Sequence, residues 1–468
     1  MKAVIDAIVS FSGYLWGWPI ITLLFVSSVF LTFRLKFIQF RRFGYIMKQT
    51  FGKIFSKEEA KGEGTLSAFQ ALTTAVACVV GAGNITGVPV AIMLGGPGAV
   101  FWIWVIALLG MGLKYSEIAL AVKYRVKNEK GDFVGGPTHY MEKGLKMHWL
   151  AVFFALGLVF EVFVSVMVQA ISLAASAQAS MGINPLLTGV VVMVLTGVVV
   201  IGGIRTIGKF TEKFVPLMAT FYIVLSLVIV FLNIEKLPAV FSMIFAHAFT
   251  PSAAIGGFTG SAVAAGIRHG FARGLYSNES GLGTSPIAHA TATTDHPVRQ
   301  AFWGVTENFI DTILICTCTA LAVLTTGVWT LPDASTIAGG LTTTAFIQSF
   351  GGIGGIFLTI SLMMFVYSTL ITLIYYGEAQ AGFLWGYKAS IVTRWIYVIV
   401  LPLGAVGGAQ FLWQFLDLAL AAILIPNVIA LVLLNKEIVA LTEDFFSSDK
   451  FLLKDAKAAQ LSKESHGA

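Results

Sequence analysis

Cysteine and charged residues are the two classes that this sequence has least of. Only 3 of its 468 residues are cysteine. All three (Cys78, Cys316 and Cys318) lie within apolar runs, which argues against a disulfide framework or a thiolate metal cluster. Charged residues make up 12% of the chain, about half the usual share in a soluble protein. We therefore expect no soluble catalytic domain.

Apolar residues take the place of the missing charge. The chain is 57% hydrophobic, its mean hydropathy is +0.84, and its apolar runs repeatedly exceed the roughly 20 residues that cross a bilayer. The sequence therefore predicts an all-α integral membrane protein. Its net charge of +6 comes from cations in short segments between the apolar runs, which is typical of cytoplasmic loops and not of a nucleic-acid-binding surface.

Breaks between the apolar runs predict about eleven membrane spans. Spans 1 to 6 lie near residues 14–33, 67–95, 98–124, 149–178, 185–203 and 213–233, and spans 7 to 11 near 258–293, 299–326, 353–379, 390–407 and 411–434. We divide the chain into an N-terminal extra span (1–34), a first five-helix unit (67–233), a second unit (251–434) and a polar tail (435–468) that is either a cytoplasmic helix or disordered.

Lysine and arginine alternate between the connecting segments. They are frequent after spans 1, 3 and 5, whereas the segments after spans 2, 4 and 8 contain neither. Because positively charged segments stay in the cytoplasm, we expect the N-terminus outside and the C-terminal tail inside. Two units of five spans then have opposite orientations, which predicts an inverted repeat.

The first span of each unit is interrupted by a glycine-containing stretch. Span 2 contains GAGN at Gly81–Asn84, and span 7 contains RGLYSNESGLGTSP at Arg273–Pro286. Breaks at corresponding positions of two halves indicate a transporter binding site. The N–H groups after a break can bind a carboxylate, and the carbonyls before it can bind a cation. For span 2 alone, close packing of small residues is the alternative.

Polar side chains within the spans add candidates for this site. Glu279 lies in the break of span 7, where a carboxylate needs a partner; it either pairs with Arg273 or contacts the ammonium group of a substrate. Gln169 in span 4 is either a ligand or a residue that hydrogen-bonds between helices. Ser368 and Thr369 in span 9 offer the oxygen ligands that a hard cation requires.

Other charged residues within the spans have simpler interpretations. Lys114 and Glu117 are three residues apart on span 3 and can pair on one face. Glu307 and Asp311 on span 8 form either a solvated interior face or a proton or ion relay. The sequence shows no nucleophile–base arrangement, phosphate loop or haem site, and its histidines around span 7 lack metal-ligand spacing, so we do not expect an enzyme.

Four strings resemble the alanine/glycine:cation symporter family, the sodium–alanine carriers: GAGNITGVPVAIMLGGPGAVFWIWV, GGPTHYMEKGL, RGLYSNESGLGTSPIAHATATTDHPVRQ and YYGE. The resemblance runs from about residue 67 to 435. It implies a leucine-transporter-type fold, in which two inverted five-helix repeats follow an extra N-terminal helix. It also implies sodium-driven import of small neutral amino acids, alanine and glycine foremost, with sodium as coupling ion and no other cofactor.

Carried over position by position, the resemblance gives ten candidate substrate-binding residues: Gly81, Ala82, Gly83, Asn84, Gln169, Asn278, Glu279, Gly281, Thr369 and Leu373. By analogy to the fold, the carbonyls of Val80 and Gly83 and the hydroxyls of Ser368 and Thr369 would bind sodium. The family usually has threonine where Ala82 stands and tryptophan where Leu373 stands. We therefore expect this protein to accept a side chain larger than methyl, such as that of glutamine.

Alternating access is the expected mechanism. The expected partners are an amino acid, sodium and the lipid bilayer; we expect no nucleic acid and no obligate protein partner. Two alternatives remain open. One is a proton-coupled symporter with Glu279, Glu307 or Asp311 as the proton carrier. The other is an ion channel with GAGN as its constriction.

Overall fold

The computed structural model describes residues 10–54, 62–250, 262–407, 409–448 and 451. These residues are almost entirely helical, with one small antiparallel sheet of strands β1 (Val126–Lys127) and β2 (Phe133–Val134). Within the described part, eight helices are long and apolar enough to cross a membrane, or nine if the bent pair in span 2 counts as one more. The predicted all-α membrane protein is confirmed, and the count of eleven spans stays a prediction.

The helices follow the predicted spans closely. Their bounds are Ser10–Arg34 for span 1, Ala68–Val79 and Gly83–Gly95 for span 2, Ala99–Lys123 for span 3, His148–Met181 for span 4, Pro185–Val200 for span 5, Gly203–Leu232 for span 6, Ala262–Asn278 and Ser285–His289 for span 7, Pro297–Thr326 for span 8, Gly352–Trp385 for span 9, Tyr387–Val406 for span 10 and Ala409–Leu433 for span 11. The expected start of span 7 near 258 lies outside the described residues.

Some helical segments lie outside the bounds of the predicted spans. Span 6 begins at Gly203 and not near 213. The charged residues Arg205 and Lys209 interrupt the apolar run, but they lie in the first turns of the same helix. Further helices are Ile38–Arg41 and Phe43–Gln49 after span 1, Pro137–His139 and the π-helix Tyr140–Gly144 before span 4, Leu237–Phe249 after span 6, Leu341–Phe350 before span 9 and Asn435–Ser447 after span 11. The last of these shows that the beginning of the tail is a helix.

Span 2 starts with a strong cap and breaks near its middle. The hydroxyl of Ser67 accepts a hydrogen bond from the backbone of Gln70, whose side chain accepts one from the backbone of Ser67, and this capping box fixes the first turn. The helix ends where Val80 turns extended (φ −79°, ψ 94°). It resumes as the π-helix Gly83–Gly87, and the two halves are inclined by 49°.

Span 7 breaks through three alternate residues with left-handed backbone. Glu279 has φ 53°, Gly281 φ 91° and Gly283 φ 80°. Glycine adopts this conformation freely, whereas a residue with a side chain is strained there. The helix therefore stops at Asn278 and resumes at Ser285.

The packing of the spans brings the two breaks together. Span 4 packs along span 9, span 3 packs on spans 7 and 8, and the first half of span 2 packs on spans 6 and 9. The π-helix after the break of span 2 contacts both span 7 and span 8. The inverted repeat itself stays a prediction.

Candidate functional site

Asn84 forms hydrogen bonds that connect the break of span 2 to neighbouring spans. Its Oδ1 accepts a hydrogen bond from the backbone N–H of Gly81 at 2.9 Å. Its Nδ2 donates to Asp311 Oδ1 at 2.7 Å and to Ser277 Oγ at 2.9 Å. The side chain is fully buried. Asn84, a predicted site residue, therefore ties the broken backbone of span 2 to spans 7 and 8.

Asp311 is a carboxylate that is joined to this break through Asn84. It is fully buried and accepts hydrogen bonds from Asn84, from Ser277 at 2.8 Å and from Thr312 at 2.6 Å. All three donors are uncharged, so none of them balances the charge of an ionised carboxylate. A carboxylate in a low-dielectric interior favours a nearby cation, and Asp311 is the group through which this region can attract one.

The hydroxyls of span 9 lie against the end of the first half of span 2. Ser368 Oγ and Thr369 Oγ1 are each 3.2 Å from the carbonyl oxygen of Ala77, and Thr369 Oγ1 is also 3.2 Å from that of Cys78. Four oxygen atoms thus meet where the helix ends, the kind of ligand that a hard cation prefers. These carbonyls belong to residues just before Val80, whereas the sequence predicted the carbonyls of Val80 and Gly83 as ligands, which stays a prediction.

The glycines of span 2 allow close approach of neighbouring spans. A Cβ atom on Gly81 would lie 3.3 Å from Thr369 Oγ1, and one on Gly83 would lie 3.2 Å from the ring of Tyr276. Ala82 stands between them and is half-buried. Span 2 therefore contacts span 9 on one side of the break and span 7 on the other.

Glu279 is held by neutral groups. Its Oε2 accepts a hydrogen bond from Thr284 at 2.6 Å and lies 3.9 Å from the thiol of Cys78. Within the described residues no ion pair joins Glu279 to Arg273, so the purely structural pair offered as one alternative is absent. The residue as a whole is half-buried. It lies next to Cys78, whose carbonyl contacts Thr369.

Two predicted ligands carry buried polar atoms without a protein partner. In the described part of the chain, Gln169 Oε1 and Asn278 Nδ2 make no hydrogen bond. They are two of fourteen buried side-chain atoms without a hydrogen-bond partner among the described residues, and each can bond to a ligand or to water. Leu373 is buried on span 9, and its neighbour Thr372 bonds to the carbonyl of Ser368 within its own helix.

Lys114 has a different partner from the one we expected. Its Nζ lies 3.1 Å from Glu307 Oε1, and both side chains are fully buried. Glu307 also accepts from Ser285 at 2.6 Å and lies 3.0 Å from His289 Nε2. Glu117, the expected partner, is bonded to Asn427 instead. The sequence indicates only which residues are neighbours on one helix. The packing of span 8 on span 3 places Glu307, and not Glu117, within ion-pair distance of Lys114.

A backbone connection joins the segment before span 2 to the segment after span 7. The N–H of Thr65 donates to Thr291 at 2.7 Å, and that of Thr293 donates to Leu66 at 2.7 Å. Arg125 joins the same two segments by donating to the carbonyls of Ala292 at 2.6 Å and Glu63 at 2.7 Å. The segment that enters span 2 is therefore fastened to the segment that leaves span 7.

An exposed ion pair lies beside this connection. Lys127 Nζ is 2.9 Å from Glu63 Oε2, and the hydrogen bond and charge of Lys127 lower the pKa of the Glu63 carboxyl.

After the break of span 2, Thr342 donates to the carbonyl of Ile85 at 2.6 Å. The helix Leu341–Phe350 therefore contacts the second half of span 2.

Comparison with known proteins identifies the family. The family described as "Sodium:alanine symporter family" matches residues 1–459. The uncharacterized transporter YflA of Bacillus subtilis is 51% identical over 446 residues, which cover 95% of this chain and 94% of that protein. The sodium/alanine symporter AgcS of Methanococcus maripaludis is 40% identical, with 95% and 98% covered.

A third relative and a solved structure are also similar to this chain. The probable sodium/glutamine symporter GlnT of Bacillus subtilis is 36% identical, with 96% of this chain and 92% of that protein covered. A solved structure of a manganese transporter from Eremococcus coleocola superimposes with a TM-score of 0.50 at 15% identity, covering 86% and 93% of the two chains. That likeness shows a shared fold. The resemblance found in the sequence is confirmed, and the chain belongs to the sodium:alanine symporter family.

Proposed function

We propose that this protein imports a neutral amino acid together with sodium by alternating access. The family is one of transporters, and relatives are named a sodium/alanine symporter and a probable sodium/glutamine symporter. Another relative is named a putative sodium/proton-dependent alanine carrier. These names support an amino acid as substrate and sodium as coupling ion.

The observation that carries the proposal is the cluster of oxygen atoms between spans 2 and 9. The hydroxyls of Ser368 and Thr369 meet the carbonyls of Ala77 and Cys78. The end of a helix carries partial negative charge on its carbonyls, which favours a cation there. Sodium binds among these oxygens in our proposal, and the carbonyls of Val80 and Gly83 remain predicted additional ligands.

The amino-acid zwitterion binds beside this cluster, between the two breaks. Its carboxylate takes N–H groups near Ala82 and Gly83, at the positive end of the helical segment Gly83–Gly95. Its ammonium faces Glu279, which has no cationic partner among the described residues. The unpaired atoms of Gln169 and Asn278 offer further hydrogen bonds. This arrangement binds the carboxylate and ammonium groups, which all amino acids share.

Selectivity for the side chain then depends on Leu373. The resemblance implies a tryptophan at this position in most of the family, and leucine leaves more room. The relative GlnT, named for glutamine, supports a side chain larger than methyl. We propose that glutamine or another mid-sized neutral amino acid is accepted alongside alanine.

Transport requires the site to open in turn to each side of the membrane. Residues 62–66 and 291–294 are joined by backbone hydrogen bonds, and in our proposal this connection closes one end of the transport path. Positive-inside counting places that end in the cytoplasm, so this connection has to separate for release. Each sodium ion that enters adds about 2.3 kcal/mol per 100 mV of membrane potential, which drives uptake against a gradient.

Uptake by proteoliposomes tests the function. Labelled alanine, glycine and glutamine are supplied under an inward sodium gradient, under a proton gradient without sodium, and with neither. We expect uptake only with the sodium gradient, and faster when a negative interior potential is imposed. Uptake driven by the proton gradient alone would instead establish the proton-coupled symporter, and ion currents without amino acid would establish a channel.

A further inference from the structure

Asn427 on span 11 supplies the partner for a carbonyl in the break of span 7. Its Nδ2 donates to the carbonyl oxygen of Gly281 at 2.9 Å, and the side chain is fully buried. Broken backbone at membrane depth has no water to satisfy it, so another part of the protein must do so. A lone asparagine in an apolar helix gave no indication of this role in the sequence.

The orientation of the Asn427 amide is fixed by its other neighbours. Nδ2 donates its second hydrogen to Glu117 Oε1 at 2.8 Å, and Oδ1 accepts a hydrogen bond from the hydroxyl of Tyr140. Two acceptors surround the nitrogen and one donor faces the oxygen, which matches the inventory of a carboxamide. The nitrogen is therefore the atom that faces Gly281.

Asn427 also packs against the backbone of the break. A Cβ atom on Gly283 would lie 3.1 Å from Asn427 Cγ and 2.4 Å from the ring of Pro137. Glycine alone fits at this position, both for space and for its φ of 80°. The side chain of Asn427 thus lies against two of the three left-handed residues of the break, Gly281 and Gly283.

The residues that the break presents are the predicted substrate ligands. Glu279 is the first left-handed residue, and Asn278 precedes it with an unpaired Nδ2. Asn278 Oδ1 accepts from the N–H of Ser280 at 3.0 Å, which couples its side chain to the backbone of the break. A shift of the backbone at Gly281 therefore moves the groups that meet the amino acid.

We propose that Asn427 is a positioning residue for substrate binding, acting through its hydrogen bond to the carbonyl of Gly281. It holds residues 279–283 in the shape that presents Asn278 and Glu279 to the amino acid. The inference rests on the proposed function. Asn427 bonds to none of the oxygen atoms proposed to bind sodium between spans 2 and 9. Loss of this side chain should therefore weaken binding of the amino acid and leave sodium binding unchanged.

Two substitutions separate this role from general support of the fold. Asn427→Ala removes both N–H donors, whereas Tyr140→Phe removes the donor to Oδ1 and leaves the bond to Gly281. We expect the dissociation constant for labelled alanine or glutamine, measured on purified protein at saturating sodium, to rise about tenfold in Asn427→Ala, or roughly 1.4 kcal/mol. In Tyr140→Phe it rises less than about threefold.

The number of binding sites and the effect of sodium complete the test. Both variants should keep the wild-type number of sites per milligram and the wild-type rise in melting temperature when sodium is added without amino acid. Asn233→Ala, the same change at a residue that bonds to Ile229 of its own helix, serves as the control with unchanged affinity.

Three results would overturn the inference. The first is wild-type affinity in Asn427→Ala, and the second is a fall in the number of sites without a change in affinity, which would mean that Asn427 only supports the fold. The third is an equal loss of affinity in Tyr140→Phe. If the wild-type protein bound neither alanine, glycine nor glutamine in sodium, the proposed function would fail, and this inference with it.

Discussion

Replacing Thr369 by valine probes the sodium site with the smallest change that the structure allows. Valine keeps the branched shape of threonine and exchanges the hydroxyl for a methyl group. Thr369 Oγ1 lies 3.2 Å from the carbonyl oxygens of both Ala77 and Cys78, and the side chain is buried. The substitution therefore removes one oxygen from the cluster between spans 2 and 9 and preserves the packing.

The expected effect follows from the strength of a polar contact to a charged group. Such a contact contributes about 1.5–3 kcal/mol, and roughly 1.4 kcal/mol corresponds to a tenfold change in an equilibrium constant. The sodium concentration for half-maximal uptake should therefore rise about 10- to 100-fold. It is measured as uptake of labelled alanine into proteoliposomes over a sodium series, with the membrane potential held constant.

A matched substitution controls for the loss of a buried hydroxyl. Thr325 on span 8 is also buried, and its hydroxyl bonds to Leu321 of its own helix at 2.7 Å. Thr325→Val should leave the sodium dependence unchanged. A Thr369→Val protein that folds and retains the wild-type sodium dependence would refute the placement of sodium between spans 2 and 9.

Three further predictions test other parts of the mechanism. Leu373→Trp fills space beside the amino-acid side chain, so competition uptake should show affinity for glutamine falling about tenfold more than affinity for alanine; an unchanged ratio would contradict the role of Leu373. Asp311→Asn keeps the size of the side chain and removes its charge, which should raise the half-saturating sodium concentration at least about tenfold, and a wild-type value would exclude Asp311 as the attracting charge. Arg125→Ala removes the donors that fasten residues 62–66 to 291–294. Hydrogen–deuterium exchange of both segments should accelerate about tenfold, and unchanged exchange would show that the backbone bonds hold without the arginine.

The sequence determined the class of protein, the positions of most helices and the places where two of them break. These features depend on local composition: a run of apolar residues spans a bilayer wherever it occurs, and glycine permits backbone that other residues resist. The break of span 2 at Gly81 and that of span 7 around Gly281 were both visible in this way. The family followed from the same stretches, because its specific residues lie in them.

Only the tertiary structure decided which residues meet. Lys114 pairs with Glu307 and not with Glu117, Thr369 meets carbonyls of the last turn before Val80, and Asn427 reaches the break of span 7 from the far end of the chain. Each contact joins different spans, and it depends on how those spans are inclined and packed. Helical periodicity specifies neighbours along one span but carries no information about the rotation of one span against another, so these partners had to be seen in the fold.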